Sequence, residues 1–189
     1  MERALIVSGT DKSVAQLTEM LSHAALSRVS SVTTAGEARR LLTSADYDLY
    51  IVNSPLPDES GESLACGIAE KLAGEVILLV KADRYEEVSD MVAERGVIAV
   101  SKPVNRTLFW GAIKMADAAH NRFNMMRREN MKLQQKIEDI RTIDRAKCVL
   151  ISRMSMTEPE AHKYIEKQAM DMRQTRRAIA EGILKTYEF

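Results

Sequence analysis

Long apolar segments, cysteines and aromatic residues are all scarce in this chain of 189 residues. No apolar run approaches the roughly 20 residues that a membrane-spanning helix needs, and the apolar stretch Ala4–Val7 is too short for a signal peptide. The two cysteines, Cys66 and Cys148, lie far apart and match no metal-binding spacing. We therefore expect a cytoplasmic protein with reduced thiols, no membrane association, and no metal or other cofactor.

Side-chain sets that carry out catalysis are also missing. The three histidines, His23, His120 and His162, are scattered over segments with helical character. No Ser/His/Asp or Cys/His arrangement accompanies them. We therefore expect a chain without catalytic residues, which is not an enzyme.

The zero net charge of the chain hides an uneven distribution. Residues 1–110 contain 11 Lys/Arg and 16 Asp/Glu, a net charge of −5, whereas residues 111–189 contain 16 Lys/Arg and 11 Asp/Glu, a net charge of +5. A basic C-terminal part suggests an anionic partner. On its own, however, the charge is more typical of a solvated, Lys/Arg-rich helix face.

Short apolar runs alternate with amphipathic stretches in the first part of the chain. The runs typical of buried strands are Ala4–Val7, Arg28–Val32, Leu49–Val52, Val76–Val80 and Val97–Val100, and the stretches with helical spacing are Lys12–Ala24, Ala35–Leu42, Glu62–Leu72 and Glu86–Glu94. Because parallel strands need crossover connections, this alternation predicts an α/β fold with a five-stranded parallel sheet and helices on both faces. In such sheets the functional residues lie at the carboxyl ends of the strands.

Two short motifs at these strand ends resemble those of response-regulator receiver domains. The segment from Asp48 to Gly61 is similar to the third strand and following loop of that family, with Leu56-Pro57 and Gly61 at the family's offsets. Lys102-Pro103 matches the Lys-Pro after the fifth strand, where the peptide bond is usually cis. The resemblance covers about residues 1–120 and implies a flavodoxin-like receiver domain.

The same resemblance shows which parts of the receiver's phosphorylation site are missing. The acidic pair expected after the first strand is replaced by Ser8 and Gly9, and Asp11 lies two residues further on. Asn53 occupies the phosphoacceptor position, and its amide cannot form an acyl phosphate. Since Mg²⁺ requires hard carboxylate oxygens, we expect a pseudo-receiver that takes up no phosphate.

Three further positions bear on this pocket. Lys81 and Ala82 stand where the switch hydroxyl is expected, Ala99 replaces the strand-five aromatic, and Lys102 alone remains of the usual five residues. Lys81 either fills the vacant acidic pocket as a fixed cation or is solvated. Lys102 is expected to hydrogen-bond Asn53. Structural roles are the simpler interpretation of both lysines.

A long helix is predicted from Asn105, since neither proline nor glycine occurs between Ala112 and Met156. Apolar residues recur at steps of three and four over five heptads, which is typical of a coiled coil. One heptad position holds Phe109, Ala116, Phe123, Asn130 and Ile137, and the other holds Ala112, Ala119, Met126, Leu133 and Ile140.

We expect residues 105–142 to form a coiled-coil dimerisation helix. The contacts between the two copies would come from Phe123, Met126, Asn130, Leu133, Ile137 and Ile140. A buried Asn130 can pair with its copy across a parallel, two-stranded coil and fix the register. The alternative is an intramolecular helix whose apolar stripe packs on the first domain through Ala112, Ala116 and Ala119.

Residues 130–189 predict a small three-helix bundle. Its first helix continues the long helix through Ile143, Ala146, Leu150 and Met154, its second begins at the capping box Thr157-Glu158-Pro159-Glu160, and its third carries Ile179, Ile183 and Leu184. Three short helices have a very small core, so attachment to a dimer is physically sensible.

This bundle resembles the ANTAR domain of transcription antitermination regulators. The residues that carry the resemblance are Ile143–Leu150, Glu160-Ala161, Ala169-Met170 and Arg176–Ala180, within a match of about residues 130–186. Cys148, Ile151 and His162 depart from the family's usual Gly, Met and Phe. The resemblance implies an RNA-binding homodimer that recognises paired hairpins in nascent leader transcripts.

Basic side chains in the bundle are compatible with an RNA partner. The candidates are Arg141, Arg145, Lys147, Arg173, Arg176 and Arg177. Lysine and arginine neutralise phosphates, and arginine also stacks on unpaired loop bases. A regulatory protein or a ligand, rather than aspartyl phosphorylation, would then control the dimer. The alternatives are a protein-interaction signalling module whose coiled coil docks a regulatory partner, and a phosphotransfer component with residual activity.

Overall fold

The computed structural model describes residues 1–22, 24, 26–71 and 74–187. The chain divides into two compact units, Met1–Asn124 and Met125–Phe189. The predicted domains, 1–120 and 130–189, lie on either side of this division. No helix in the described part of the chain is both long and apolar enough to span a membrane.

The first unit contains the predicted sheet. Its strands are β1 (Arg3–Ser8), β2 (Arg28–Val32), β3 (Leu49–Asn53), β4 (Glu75–Lys81) and β5 (Val97–Lys102). All neighbouring strands are parallel, in the order β2-β1-β3-β4-β5. This is the strand order of the flavodoxin-like fold, so the predicted fold class is confirmed.

Helices cover both faces of this sheet. They are α1 (Asp11–Leu21), α2 (Ala35–Leu41), α3 (Glu62–Lys71), α4 (Tyr85–Ala93) and the first part of α5 (Arg106–Met154). Successive side chains of β1 point to opposite faces: Leu5 and Val7 pack with α2, α3 and α4, whereas Ala4 and Ile6 pack with α1 and α5. Two apolar layers therefore hold the sheet, with the strand ends left to carry polar groups.

The predicted helix ends at Leu42 and Glu94 lie one residue beyond the ends of α2 and α4, and the end of α1 differs more. Helix α1 ends at Leu21 rather than at Ala24, because the backbone N–H and the hydroxyl of Ser22 both bond to the Glu19 carbonyl and end the helix there. Helix α3 ends at Lys71, and the predicted end at Leu72 lies outside the described residues, as does His23.

The first three apolar positions of the predicted coiled coil are buried within the first unit. Phe109, Ala112 and Ala116 are buried against the sheet, with α1 on the same face. For these residues the intramolecular alternative is correct, and a coiled coil over the whole range 105–142 is not. Ala119 is exposed, and the apolar stripe is uncovered from Phe123 onward.

The second unit is the predicted helical bundle. It contains the rest of α5, α6 (Glu158–Asp171) and α7 (Arg176–Tyr187). Its buried core consists of Ala146, Leu150, Ala161, Ile165, Ala169, Ile179, Ala180 and Ile183. The predicted capping box opens α6, where the Glu160 carboxylate accepts the Thr157 backbone N–H at 2.8 Å. The Thr157 hydroxyl donates to the same carboxylate at 2.7 Å, and the two hydrogen bonds lower the pKa of Glu160.

Candidate functional site

The carboxyl ends of β1 and β3 bring Ser8 and Asn53 side by side. The two residues are paired in the sheet, and the Asn53 Nδ2 donates a hydrogen bond to the buried Ser8 Oγ at 2.9 Å. A neutral amide and a neutral hydroxyl therefore satisfy each other where an acidic site is expected. Neither provides the carboxylate oxygen that Mg²⁺ favours.

Gly9 is covered by the loop that follows β3. A Cβ at Gly9 would lie 2.9 Å from both Cγ and Cδ of Pro57, which is closer than real Cβ atoms approach other heavy atoms. An acidic side chain therefore fits at this position only if the Pro57 ring moves. The pocket therefore leaves no room for a side chain at Gly9 in its present shape.

Other carboxylates near these strand ends have different roles. Asp11 is exposed in the first turn of α1. Asp58 accepts hydrogen bonds from the backbone N–H groups of Ala35 and Gly36, each at 2.9 Å, and these two bonds lower its pKa. Asp58 thus caps the start of α2. Within the described ranges, no three His, Cys, Asp or Glu side chains are arranged to hold a metal ion, and this pocket does not fit Mg²⁺.

Lys102 is partly buried at the end of β5. Its Nζ donates to the backbone carbonyl of Ser54, so the expected hydrogen bond to Asn53 is wrong. Burial lowers the pKa of Lys102, and the neighbouring cation Lys81 lowers it further. Lys102-Pro103 has the expected cis peptide bond.

Lys81 pairs with Lys102 in the sheet register but is exposed. It makes no hydrogen bond or ion pair with any residue that the structure describes. Of the two alternatives for Lys81, the solvated side chain is therefore correct.

The six candidate cations of the helical bundle fall into two classes. Lys147 and Arg177 are partly buried and join helices to one another. The Lys147 Nζ lies 2.8 Å from Asp144 and 2.9 Å from Glu158 at the start of α6, and its side chain is only 16% exposed. Both carboxylates raise the pKa of Lys147, Asp144 the more strongly.

Arg177 makes the corresponding connection between α7 and α5. Its Nη1 lies 2.7 Å from Asp139, and its Nε lies 2.7 Å from Glu181. The hydrogen bond from Arg177 lowers the pKa of Asp139, with a smaller contribution from Gln135. Interhelical ion pairs thus occupy Lys147 and Arg177, and this geometry does not favour the expected RNA contacts for these two residues.

The remaining candidates are more accessible. Arg141 is 72% exposed, and its one ion pair among the described residues is a long contact of 3.8 Å with Glu138. Arg145 is exposed one turn further along, and both arginines line an open groove of about 660 Å³ on α5, beside Cys148 and Ser152. Arg176 is exposed and pairs with Glu166 on α6 at 3.1 Å.

Arg173 occupies a backbone conformation that normally favours glycine. It follows the C-cap of α6 with a φ of 52°, in the left-handed region where helix ends usually place Gly. Its side chain is exposed and has no hydrogen bond or ion pair in the described part of the chain. An arginine in this strained position is consistent with a functional role for the side chain.

The carboxylates that pair with Lys147 and Arg177 between helices were not predicted from the sequence. Asp139 and Arg177 are separated by 38 residues, and no local pattern links them. Glu158 was recognised only as part of the capping box, although its position at the first turn of α6 places it beside α5. The buried positions Ala146 and Leu150 could have suggested which face of α5 receives α6.

The second half of the apolar stripe is open. Phe123, Met126, Leu133, Ile137 and Ile140 are 48 to 62% exposed, and Asn130 is exposed among them. An apolar row of this length on one helix face is a candidate interaction surface.

Comparison with known proteins finds a family match within the second unit. Residues 131–184 match the ANTAR domain family. Over 171 residues the chain is 29% identical to the transcriptional regulatory protein PdtaR of Mycobacterium tuberculosis, from strains CDC 1551 and H37Rv, with 90% of this chain and 83% of that protein covered.

Solved structures similar to this chain match its sheet-containing part. The signal receiver domain of an HD domain-containing protein from Pseudomonas fluorescens has a TM-score of 0.57 and 23% identity, covering 66% of this chain and 92% of that one. A response regulator receiver domain from Clostridium thermocellum has a TM-score of 0.57 and 18% identity, covering 67% and 99%. The chain therefore joins a domain with the response-regulator receiver fold to a C-terminal ANTAR domain.

Proposed function

We propose that this chain is a transcription antitermination regulator whose ANTAR domain binds hairpins in nascent leader RNA as a homodimer. The ANTAR match and the similarity to PdtaR support a transcription regulator of the antiterminator family. The observation that carries the RNA part is the exposure of four arginines on the matched domain, Arg141, Arg145, Arg173 and Arg176.

The geometry narrows the proposed contact surface. Arg141, Arg145, Arg173 and Arg176 supply it, because their side chains are exposed, whereas Lys147 and Arg177 are partly buried in ion pairs between helices. The Arg177–Asp139 pair brings the start of α7 to the stretch of α5 that carries Arg141. Arginines from two helices can thus reach one folded RNA, by phosphate contacts and by stacking on loop bases.

The open stripe on α5 supports the homodimer. A second copy of the same helix would cover Phe123, Met126, Leu133, Ile137 and Ile140, and a parallel arrangement would place the two Asn130 side chains together. Doubling the ANTAR domain lets one dimer hold two hairpins, so that the second contact is favoured by proximity.

Control by a route other than aspartyl phosphorylation is part of the same proposal. The Asn53–Ser8 hydrogen bond takes the place of an acceptor carboxylate, and the Pro57 ring covers Gly9. Acetyl phosphate with Mg²⁺ is therefore expected to leave the intact mass unchanged. An acid-labile gain of one phosphoryl group would contradict this part of the proposal.

A titration of labelled leader-type hairpins with the full chain tests RNA binding. We expect saturable binding that weakens as salt rises, with a linear log–log dependence. Arg141→Gln should reduce both the affinity and the salt slope, the latter by about one if Arg141 contacts a phosphate. Arg28→Gln, an exposed arginine on β2, is the matched control. Failure to bind any hairpin at low salt would remove the proposal.

Light scattering of the parent and of Asn130→Leu tests the dimer. The parent should be a dimer, and the variant should associate with a looser order or register, because a polar residue at this heptad position specifies two strands. If Asn130→Leu formed a dimer identical to the parent, the register role would be wrong.

A second candidate function has one specific observation in its favour. The same exposed stripe could dock a helix of a regulatory protein, in which case the chain would be a protein-interaction signalling module. Light scattering distinguishes the two, since a monomeric parent with an open stripe would favour a foreign partner over a second copy.

A further inference from the structure

A groove of about 260 Å³ lies at the carboxyl edge of the sheet in the receiver-fold unit. Its polar lining includes Gln16, Asn53 and Lys102, and its apolar lining includes Leu17, Met20 and Val104. Helix α1, the strand ends and the segment before α5 all contribute to it. The groove thus offers a ligand both a cationic group and a surface of aliphatic side chains.

Lys102 gives this groove an unneutralised positive charge. Its Nζ has three N–H donors, of which one binds the Ser54 carbonyl. In the described part of the chain no carboxylate lies within 4.0 Å of Lys102, and the charged neighbour that acts on it is another cation, Lys81. A partly buried ammonium group without a counter-ion favours an anionic ligand.

The lining and the size restrict the class of anion. Leu17, Met20 and Val104 offer apolar surface that an inorganic anion cannot use. The volume is below the roughly 300–1,000 Å³ typical of sites for drug-sized ligands. A short-chain organic acid satisfies both conditions, because its carboxylate can accept from Lys102 and Asn53 while its tail lies along α1.

We propose that the groove between α1 and the ends of β3 and β5 binds a short-chain organic acid, with Lys102 as the carboxylate partner. The site does not depend on RNA binding by the ANTAR domain. Its occupant would contact Val104, two residues before α5 begins at Arg106. The vacated phosphorylation region would thus serve small-molecule binding.

Calorimetric titration of the full chain with hexanoate, acetate, 1-hexanol and inorganic phosphate tests this inference. We expect saturable binding of hexanoate, weaker binding of acetate because its tail is missing, and no comparable binding of hexanol or phosphate. Phosphate binding as tight as that of hexanoate would overturn the organic-acid class. Hexanol binding as tight as that of hexanoate would overturn the role of Lys102, and the absence of saturable hexanoate binding would overturn the site itself.

Two variants locate the site. Lys102→Met should weaken hexanoate binding about tenfold or more, the factor given by about 1.4 kcal/mol. Lys12 is an exposed lysine on α1, and Lys12→Met should leave hexanoate binding unchanged. Equal effects of these two variants would place the ligand elsewhere. If Lys102→Met failed to fold, judged by circular dichroism, Met20→Gln would carry the test. It should reduce the preference for hexanoate over acetate, and an unchanged preference would refute the groove.

Discussion

The two units of this chain differ in the size of the core that their polar side chains surround. In the receiver-fold unit, two apolar layers hold the sheet, and the strand ends keep a neutral Asn53–Ser8 pair and a lone Lys102. In the ANTAR unit, eight buried residues form the core, and ion pairs connect the helices. A large core holds the fold while the strand ends change, whereas a small core leaves a larger share of the stability to ion pairs between helices.

The largest change in stability that tests this comparison is expected when a side chain in the small core is truncated. Leu150 is 1% exposed at the centre of the ANTAR unit, and Leu150→Ala should destabilise that unit by about 2–5 kcal/mol. The only tryptophan, Trp110, lies in the other unit. Urea unfolding followed by tryptophan fluorescence should therefore change little, while the helical circular dichroism signal should show an earlier transition.

The matched control is a truncation in the large core. Leu78→Ala removes a fully buried side chain of β4 and should shift the fluorescence transition instead. If Leu150→Ala shifted both signals equally, the two units would unfold together and the comparison between a large and a small core would fail.

A smaller effect is expected from an interhelical cation. Arg177→Gln removes the partner of Asp139 and should lower the stability of the ANTAR unit at neutral pH, by less than Leu150→Ala does. Arg177 depresses the pKa of Asp139 below its ordinary value of 3.8. The stabilisation is therefore present above that value and is lost as the pH falls through the lower pKa of the folded state.

Unfolding midpoints of the parent and of Arg177→Gln between pH 7 and pH 2 measure the stabilisation that the Arg177–Asp139 pair provides. The difference between them should be full at neutral pH and should shrink toward zero in acid. Arg28→Gln serves as the control, since this arginine has no ion pair in the described residues. A difference independent of pH would mean that the Arg177–Asp139 pair contributes nothing.

The assignments made from sequence succeeded where periodicity and local motifs determine the outcome. Alternating apolar runs specified all five strands, and the Thr157–Glu160 capping box specified the start of α6. The roles of Lys147 and Arg177 were missed because their partners are set by packing between helices. A charged residue on a helix looks the same in sequence whether it meets a carboxylate of the next helix or a phosphate.

Tertiary packing also explains the shortened stripe on α5. Phe109, Ala116 and Phe123 occupy equivalent heptad positions, and nothing in the repeat distinguishes them. The sheet covers the first two, whereas Phe123 is exposed. The small side chains at Ala112 and Ala116 were a signal of close packing, but they could not fix where that packing ends. Lys102 shows the same limit, since a backbone carbonyl rather than Asn53 accepts its hydrogen bond.

A still smaller effect is expected from substitution of Arg173 by glycine. This substitution should raise the stability of the ANTAR unit but weaken RNA binding. Its φ of 52° costs a residue with a Cβ roughly 1 kcal/mol. Arg173→Gly should therefore stabilise the ANTAR unit by about 1 kcal/mol against urea, while weakening the proposed hairpin binding. Arg173→Gln removes the charge but keeps the strain, so it should weaken binding without the gain in stability. Unchanged hairpin affinity in both variants would exclude Arg173 from the contact surface.

No effect at all is expected when the acceptor carboxylate alone is restored in the receiver-fold unit. Asn53→Asp places one carboxylate beside Ser8, but Mg²⁺ binding needs further hard oxygen ligands, and Pro57 blocks an acid at Gly9. The intact mass of Asn53→Asp after incubation with acetyl phosphate and Mg²⁺ should equal that of the untreated variant. A phosphoryl gain would show that Asn53 alone had silenced the pocket. Its absence would mean that a carboxylate at position 53 is not sufficient without an acidic pair in place of Ser8 and Gly9, since Mg²⁺ needs several hard oxygen ligands.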